Sequence, residues 1–122
     1  MGLFSSHEVD PAEVQSKYGT ALLDGETILV AFRSLRDTAI LTDRRFMLID
    51  VQGITGSKVA VHSVPYRSIT RFSVESAGTL DFDSDLNLWV SGNATPITLK
   101  VSRKADPAAI QRLLAERVLG GR

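Results

Sequence analysis

The segment Leu80–Val90, with the sequence Leu-Asp-Phe-Asp-Ser-Asp-Leu-Asn-Leu-Trp-Val, alternates between two kinds of residue along its whole length. One parity is apolar apart from Ser84, and the other holds three aspartates, Asn87 and Trp89. Successive side chains of a strand point to opposite faces, so the pattern predicts a strand with one face in a core and the other in water. Shorter runs of the same alternation recur along the chain and predict a small antiparallel β protein.

Length and composition limit the architecture and the partners. A chain of 122 residues has room for one core, so we expect a single domain over residues 1–122, with residues 1–8 as a flexible tail. Fourteen basic and fourteen acidic residues cancel to zero formal charge. Proteins that bind nucleic acid usually carry a basic excess, so no nucleic-acid partner is expected. Neutrality also removes the repulsion that keeps copies apart, which favours self-association.

The chain contains no cysteine, which excludes disulfides, thiolate nucleophiles and cysteine-ligated metals. It shows neither the basic start and apolar stretch of a secretory signal nor a continuous apolar run of about eighteen residues, as a spanning helix would need. We therefore expect a cytoplasmic protein. No serine lies in a G-x-S-x-G elbow, so no catalytic residue and no enzyme activity is predicted.

Three aspartates two residues apart, Asp81, Asp83 and Asp85, resemble the start of a calcium-binding EF-hand loop. Such a loop needs glycine at its sixth position and glutamate at its twelfth, where this chain has Leu86 and Gly92. The solvent-facing side of a strand explains the spacing better, because the pleat itself has a period of two. The two histidines lie far apart without a carboxylate pattern, so neither a metal nor a cofactor is expected.

The order of the predicted elements follows from caps, turns and alternation. Asp10 before Pro11, and Asp106 before Pro107, combine an N-cap acceptor with proline at the first helical position. Each pair predicts the start of a helix, one short and one amphipathic. The predicted elements are a helix at about 11–18, strands at about 27–35, 38–42, 46–51, 59–64, 69–76, 80–90 and 97–101, and a helix at about 107–119.

Parity also predicts the hairpin between the fifth and sixth strands. A three-residue loop at 77–79 would set Val74 beside Phe82 and Arg71 opposite Asp85, whereas a two-residue loop would set apolar groups against carboxylates. We therefore predict the three-residue loop. The residues expected in the core are Phe72, Val74, Phe82, Leu86, Leu88, Leu99, Ile110, Leu113 and Leu114.

Four stretches of the chain resemble the bacterial pleckstrin-homology (PH) domain family: Leu41–Phe46, Ile49–Gly56, Val64–Glu75 and Leu88–Gly92. The resemblance extends over about residues 8–119. It implies a mainly β fold, a PH-like seven-stranded antiparallel barrel capped by a C-terminal helix, which assembles into symmetric homo-oligomers. It implies no established catalytic activity or ligand.

Self-assembly of a non-catalytic binding or scaffold module is the first functional hypothesis. The first strand is apolar on both parities, including Leu29 and Ala31, and Trp89 stands on an otherwise polar parity. These three residues are the predicted interface of a ring-shaped homo-oligomer, because exposed aromatic residues are enriched at interfaces. The alternative is that the N-terminal helix covers the first strand and that Trp89 packs on a neighbouring loop. A further, unknown protein partner is left open.

Binding to phosphoinositides or to another anionic lipid surface is the second hypothesis, since eukaryotic PH domains are known for it. Lipid binders of that kind carry basic residues at the end of the first strand and in the loop that follows. Here Arg33 and Arg36 are the candidate anion contacts, and the second strand has no basic residue. Two charges worth about 1 kcal/mol each do not hold a neutral protein on a membrane, so the sequence favours self-assembly.

Overall fold

The computed structural model describes residues 9–76 and 83–120 and contains the predicted elements in the predicted order. The strands form two antiparallel sheets, the first four strands in one and the last three in the other, each ordered as in the sequence. The chain divides into two compact units, of which the first ends at Ser63 and the second begins at Val64. The elements are α1 Pro11–Tyr18, β1 Ile28–Ser34, β2 Asp37–Thr42, β3 Arg45–Gln52, β4 Lys58–Pro65, β5 Ile69–Glu75, β6 Ser84–Val90, β7 Ile97–Val101 and α2 Pro107–Leu119.

Both helices begin where the Asp-Pro pairs predict. The side chain of Asp10 accepts a hydrogen bond from the backbone N–H of Ala12, and that of Asp106 accepts one from Ala109. Each carboxylate satisfies a backbone donor that the first helical turn leaves without a partner. The prediction of a flexible tail at residues 1–8 lies outside the described residues.

In the first unit, α1 covers one face of the four-stranded sheet. Val14 of α1 is buried with Ala31, Ile40, Met47 and Ile49, which come from β1, β2 and β3. On the opposite parity of β1, Phe32 is fully buried as well. The apolar residues on both parities of β1 are therefore explained by a core on each face of the strand, one of them closed by the chain's own helix.

A buried ion pair joins the turn before β1 to the sheet. The carboxylate of Glu26 has no exposed surface, and the Arg45 guanidinium donates to both of its oxygens, at 2.9 and 2.8 Å. The Thr42 hydroxyl and the backbone N–H of Leu23 donate to it as well, at 2.6 and 2.9 Å. Arg45 also donates to the backbone carbonyl of Ala21 at 2.6 Å. These bonds, above all that from Arg45, lower the pKa of Glu26 to about 2.

In the second unit, α2 packs on β5. Five of the residues expected in the core are buried: Leu86, Leu88, Leu99, Ile110 and Leu114. Three others, Phe72, Val74 and Leu113, are half-buried, and the ninth, Phe82, lies outside the described residues. The buried residues of α2 lie four positions apart, on the stripe that the amphipathic pattern predicted.

The predicted register between β5 and β6 is wrong by four residues. Val74 pairs with Leu86 rather than Phe82, and Arg71 pairs with Trp89 rather than Asp85. An even offset keeps every side chain on its predicted face, so the hydrophobic pattern cannot distinguish the two registers. In the observed register Asp85 lies beside Lys100 of β7, with Nζ 2.7 Å from Oδ1. The predicted loop at 77–79 lies outside the described residues.

Replacing Leu114 by alanine should lower the free energy of unfolding by about 2–5 kcal/mol, because its fully buried side chain would leave a cavity. Leu119→Ala on the same helix is the control, since Leu119 is 72% exposed. Urea unfolding of both variants measures the difference. Equal losses of unfolding free energy in the two variants would show that Leu114 is not part of the core.

The ion pair between Glu26 and Arg45 should make the free energy of unfolding depend on pH in the acid range. The folded-state pKa of Glu26, about 2, lies below its usual 4.5, so its contribution is present above the higher value and is lost as the pH falls toward the lower one. Between about pH 5 and pH 2.5 the wild type should lose roughly 2–3 kcal/mol through this group. Glu26→Gln, already destabilised at pH 7, should not show that loss. Urea unfolding at a series of pH values measures both proteins. If the wild type and Glu26→Gln lost the same free energy of unfolding over this range, the assignment to Glu26 would be contradicted.

Candidate functional site

A groove lies between α1 and the four-stranded sheet, and we refer to it as the helix groove. Its volume is about 130 Å³. Its charged lining residues are Glu13, Lys17, Arg33 and Arg36, and Tyr18 and Val51 also line it. The structure thus brings the two predicted anion contacts, Arg33 and Arg36, together in one concavity and adds Lys17, which the sequence did not single out.

The position of Arg36 depends on two tight turns. Ser34 pairs with Asp37, so β1 and β2 are joined by Leu35 and Arg36 alone, and Leu35 has a positive φ of 57°. A β-branched or bulky residue rarely adopts this conformation. The Arg36 guanidinium donates to the carbonyl of Gly53 in the next hairpin loop at 2.6 Å. This bond ties the β1–β2 turn to the β3–β4 loop.

A glycine makes room for that guanidinium. Gly56 has a φ of 73°, and a Cβ placed on it would lie 3.2 Å from Nη2 of Arg36 and 3.3 Å from Cγ1 of Val51. Both the backbone conformation and the space therefore favour glycine at this position. The β3–β4 loop is shaped around the Arg36 side chain.

Within the part of the chain that the structure describes, Lys17, Arg33 and Arg36 form no ion pair with a carboxylate, whereas several other basic residues do. Arg45 pairs with Glu26, Lys100 with Asp85 and Arg112 with Glu116. Lys17 instead lies over the ring of Tyr18, 5.6 Å from its centroid, and Arg36 is bonded to a backbone carbonyl. The described lining thus carries three positive charges and one negative charge, that of Glu13, on a protein of zero formal charge.

Trp89 is half-buried on one face of the three-stranded sheet, and polar side chains surround its indole ring. The Arg71 guanidinium stacks on the indole, 4.3 Å from its centroid. Next along β6, Asn87 donates to Ser73 and Glu75, and Thr98 donates to Asn87. An arginine of the adjacent strand β5 therefore covers part of the Trp89 ring.

The three predicted interface residues fall in different places. Ala31 is 2% exposed within the core that α1 closes, so its side chain is enclosed by its own chain. Leu29 is half-buried on β1, and Trp89 belongs to the second unit. Of the three, Trp89 and Leu29 retain surface that a partner could contact.

The sequence did not indicate how exposed β4 is. This strand ends the four-stranded sheet, and its residues Val59 and Val61 are 48% and 47% exposed. Both parities of β4 mix apolar and polar residues, and this mixture is the one signal that could have predicted an edge strand. A strand at the end of a sheet presents unpaired N–H and C=O groups, which can pair with another strand.

The described part of the chain offers neither a metal site nor a spanning helix. Across residues 9–76 and 83–120, no three side chains of histidine, aspartate or glutamate converge as metal ligands would. Among the described residues, His62 has one carboxylate within ion-pair distance, that of Asp50, with Nε2 3.7 Å from Oδ2. No helix in those ranges is long and apolar enough to cross a bilayer.

Comparison with known proteins gives one consistent result. The bacterial PH domain family matches residues 1–118. An uncharacterized protein of Bacillus subtilis, YjqA, is 43% identical over 114 residues, which are 93% of this chain and 91% of that protein. A crystal structure of a DUF1696 family protein with a pleckstrin-homology domain from Shewanella loihica is 41% identical, with a TM-score of 0.83, and covers 92% of this chain and 96% of its own. A PH domain from Shewanella amazonensis, 40% identical with a TM-score of 0.77, covers 95% and 94%.

Proposed function

We infer that this chain, which belongs to the bacterial PH domain family, acts by binding rather than by catalysis and assembles with copies of itself into a closed ring. Its fold is that of PH domains. Its relatives in Bacillus subtilis and Shewanella match it over nearly their whole length, so the PH-like domain accounts for almost the whole of each of those chains.

The exposed valines of β4, a strand at the end of its sheet, are the observation that carries this proposal. Val59 and Val61 lie two residues apart, so they share one face of the strand and form an exposed apolar pair. Soluble proteins usually protect a long edge strand with charges, proline or a bulge. The middle of β4 has none of these, and Lys58 and Pro65 lie at its two ends. Burial of this edge against a second copy would satisfy its backbone groups.

Trp89 supplies a second surface of a different kind. It belongs to the second unit, whereas Val59 and Val61 belong to the first. A contact between two unlike surfaces is head-to-tail, and such contacts produce rings when the rotation between copies closes. Aromatic and arginine side chains are enriched at interfaces and often supply most of the binding energy, and Trp89 with Arg71 is such a pair. The zero net charge means that copies do not repel.

Light scattering after size exclusion should give several times the 13.3 kDa chain mass at micromolar concentration. Val61→Lys should reduce this mass toward the monomer, because a charge on an edge strand opposes strand pairing. Trp89→Ala should do the same by removing an aromatic anchor. Leu119→Lys, at an exposed position of α2, is the control.

In each variant a circular dichroism spectrum like that of the wild type separates lost assembly from lost folding. A monomeric wild type would refute self-assembly. A stable oligomer in both interface variants would refute these two surfaces and leave another interface to carry the assembly.

A lipid surface is the second candidate, and two apolar loop tips favour it. Leu35 in the β1–β2 turn is 84% exposed, and Ile54 in the β3–β4 loop is fully exposed. The bond from Arg36 to Gly53 joins the two loops that carry them. Apolar tips beside cations suit the boundary between lipid headgroups and acyl chains, where burial of apolar area and electrostatic attraction add.

Co-sedimentation with phosphatidylglycerol vesicles tests this second candidate. The wild type should bind at low salt and lose part of its binding at physiological salt, because a charge-driven contribution is screened. Leu35→Ser combined with Ile54→Ser should abolish the remainder, whereas Leu119→Ser should leave it unchanged. No binding at low salt would exclude an anionic membrane as the partner.

A further inference from the structure

We propose that α1 is exchanged between neighbouring copies in the assembly, so that each chain donates its first helix to the four-stranded sheet of the next copy. The proposal rests on the self-assembly inferred above and names the segment that the copies share. It does not need the β4 edge or Trp89, because α1 and the face that it covers form an interface by themselves. In the single chain that the structure describes, α1 covers the sheet of its own chain.

The face under α1 is apolar and continuous across three strands. Ala31, Ile40 and Met47 are cross-strand neighbours on β1, β2 and β3, and Ile49 lies two residues further along β3, on the same face. Each of these four residues is at most 2% exposed. Without a cover they would form an apolar patch on the surface, and such patches mark sites of protein interaction. The face therefore requires a helix, either from its own chain or from another copy.

Few side chains hold α1 on this face. The helix has eight residues, of which Val14 alone is buried. Val9, Tyr18 and Leu22, which lie before, at the end of and after the helix, are partly buried against the same cluster. A helix this short is marginal in water without tertiary packing. The stability of α1 therefore depends on the apolar face, and the same face of a second copy offers identical contacts.

A hinge follows α1 directly. Arg45 donates to the carbonyl of Ala21 and to both carboxylate oxygens of Glu26, so the segment that leads into β1 is bonded to the sheet independently of α1. Between the helix and this anchor lie only Gly19 and Thr20, at the start of a short 3₁₀ turn. A change of backbone dihedrals at these two residues would redirect α1 and leave the sheet as it is.

Charge and symmetry both fit an exchanged helix. Glu13 of α1 lines the helix groove together with Arg33 and Arg36 of the sheet, so the helix brings a negative charge to a positive part of the surface it covers. Each copy donates one helix and receives one, which is a head-to-tail contact, and such contacts produce rings when the rotation closes. Exchange of an identical element needs no contact that the single chain lacks, which makes it a low-cost route to an oligomer.

Pairs of introduced cysteines test the exchange, because the chain has no cysteine of its own. Lys17→Cys on α1 and Thr38→Cys on β2 place two thiols in the helix groove. A short bismaleimide should join them between copies, and a denaturing gel should show a ladder of dimers and larger species. Thr38→Cys with Val51→Cys is the matched control, since both residues lie in the sheet of one chain and should be linked within it.

Val14→Ala gives a second readout that does not depend on cross-linking. In an exchanged assembly the burial of Val14 holds copies together, so its truncation should raise the concentration at which the assembly dissociates by about tenfold. Leu119→Ala, at an exposed position of α2, should leave that concentration unchanged. Light scattering on a dilution series measures both variants, and circular dichroism checks that each is folded.

The outcomes separate exchange from self-assembly itself. A ladder from the Lys17 and Thr38 pair, with a cross-linked monomer from the Thr38 and Val51 pair, would support exchange. An assembly by light scattering in which both pairs give only cross-linked monomer would overturn exchange and leave self-assembly standing. An assembly that Val14→Ala dissociates no more readily than Leu119→Ala would also overturn exchange. A wild type that is monomeric by light scattering would refute self-assembly and exchange together.

Discussion

The pair between Glu26 and Arg45 is the interaction on which the first unit depends. Its carboxylate has no contact with water, and its arginine bonds both Glu26 and the carbonyl of Ala21. The guanidinium also donates to Ser63 at 2.9 Å, which connects β3 to β4. Removing one member of such a pair leaves the other buried charge uncompensated, which is costly. The pair therefore holds the segment after α1 against the sheet, and with it the position of α1 itself.

The position of α1 determines which surfaces the first unit has. The helix closes a core over Ala31, and the backbone N–H of Val9 donates to the Ala31 carbonyl at 3.1 Å. The apolar pattern of β1 predicted an interface with another copy, but its Ala31 is buried against the helix of its own chain. The same placement leaves the helix groove beside α1, which Lys17, Arg33 and Arg36 line. The docking of α1 thus encloses Ala31 and forms one side of the helix groove.

Elements could be predicted from the sequence because their signals are local. The Asp-Pro caps and the alternation of apolar residues placed both helices at their observed bounds and the strands within a few residues. The register between β5 and β6 could not be predicted, because every even offset keeps the apolar side chains on the same face. The stacking of Arg71 on Trp89 follows from that pairing and was missed with it. The burial of Glu26 was missed because its partner Arg45 is nineteen residues away, and a carboxylate in a turn is usually solvated.

The candidate sites show the same division between local and long-range information. Arg33 and Arg36 were found from their place in the β1–β2 hairpin, whereas Lys17 joined them only through the docking of α1. The exposure of Val59 and Val61 likewise depends on what packs against β4 in the fold and not on the residues themselves. Two cations of the helix groove can therefore be located from the hairpin sequence, but the third depends on where α1 docks. A neutral chain can thus carry a positive groove, because folding separates charges that composition adds together.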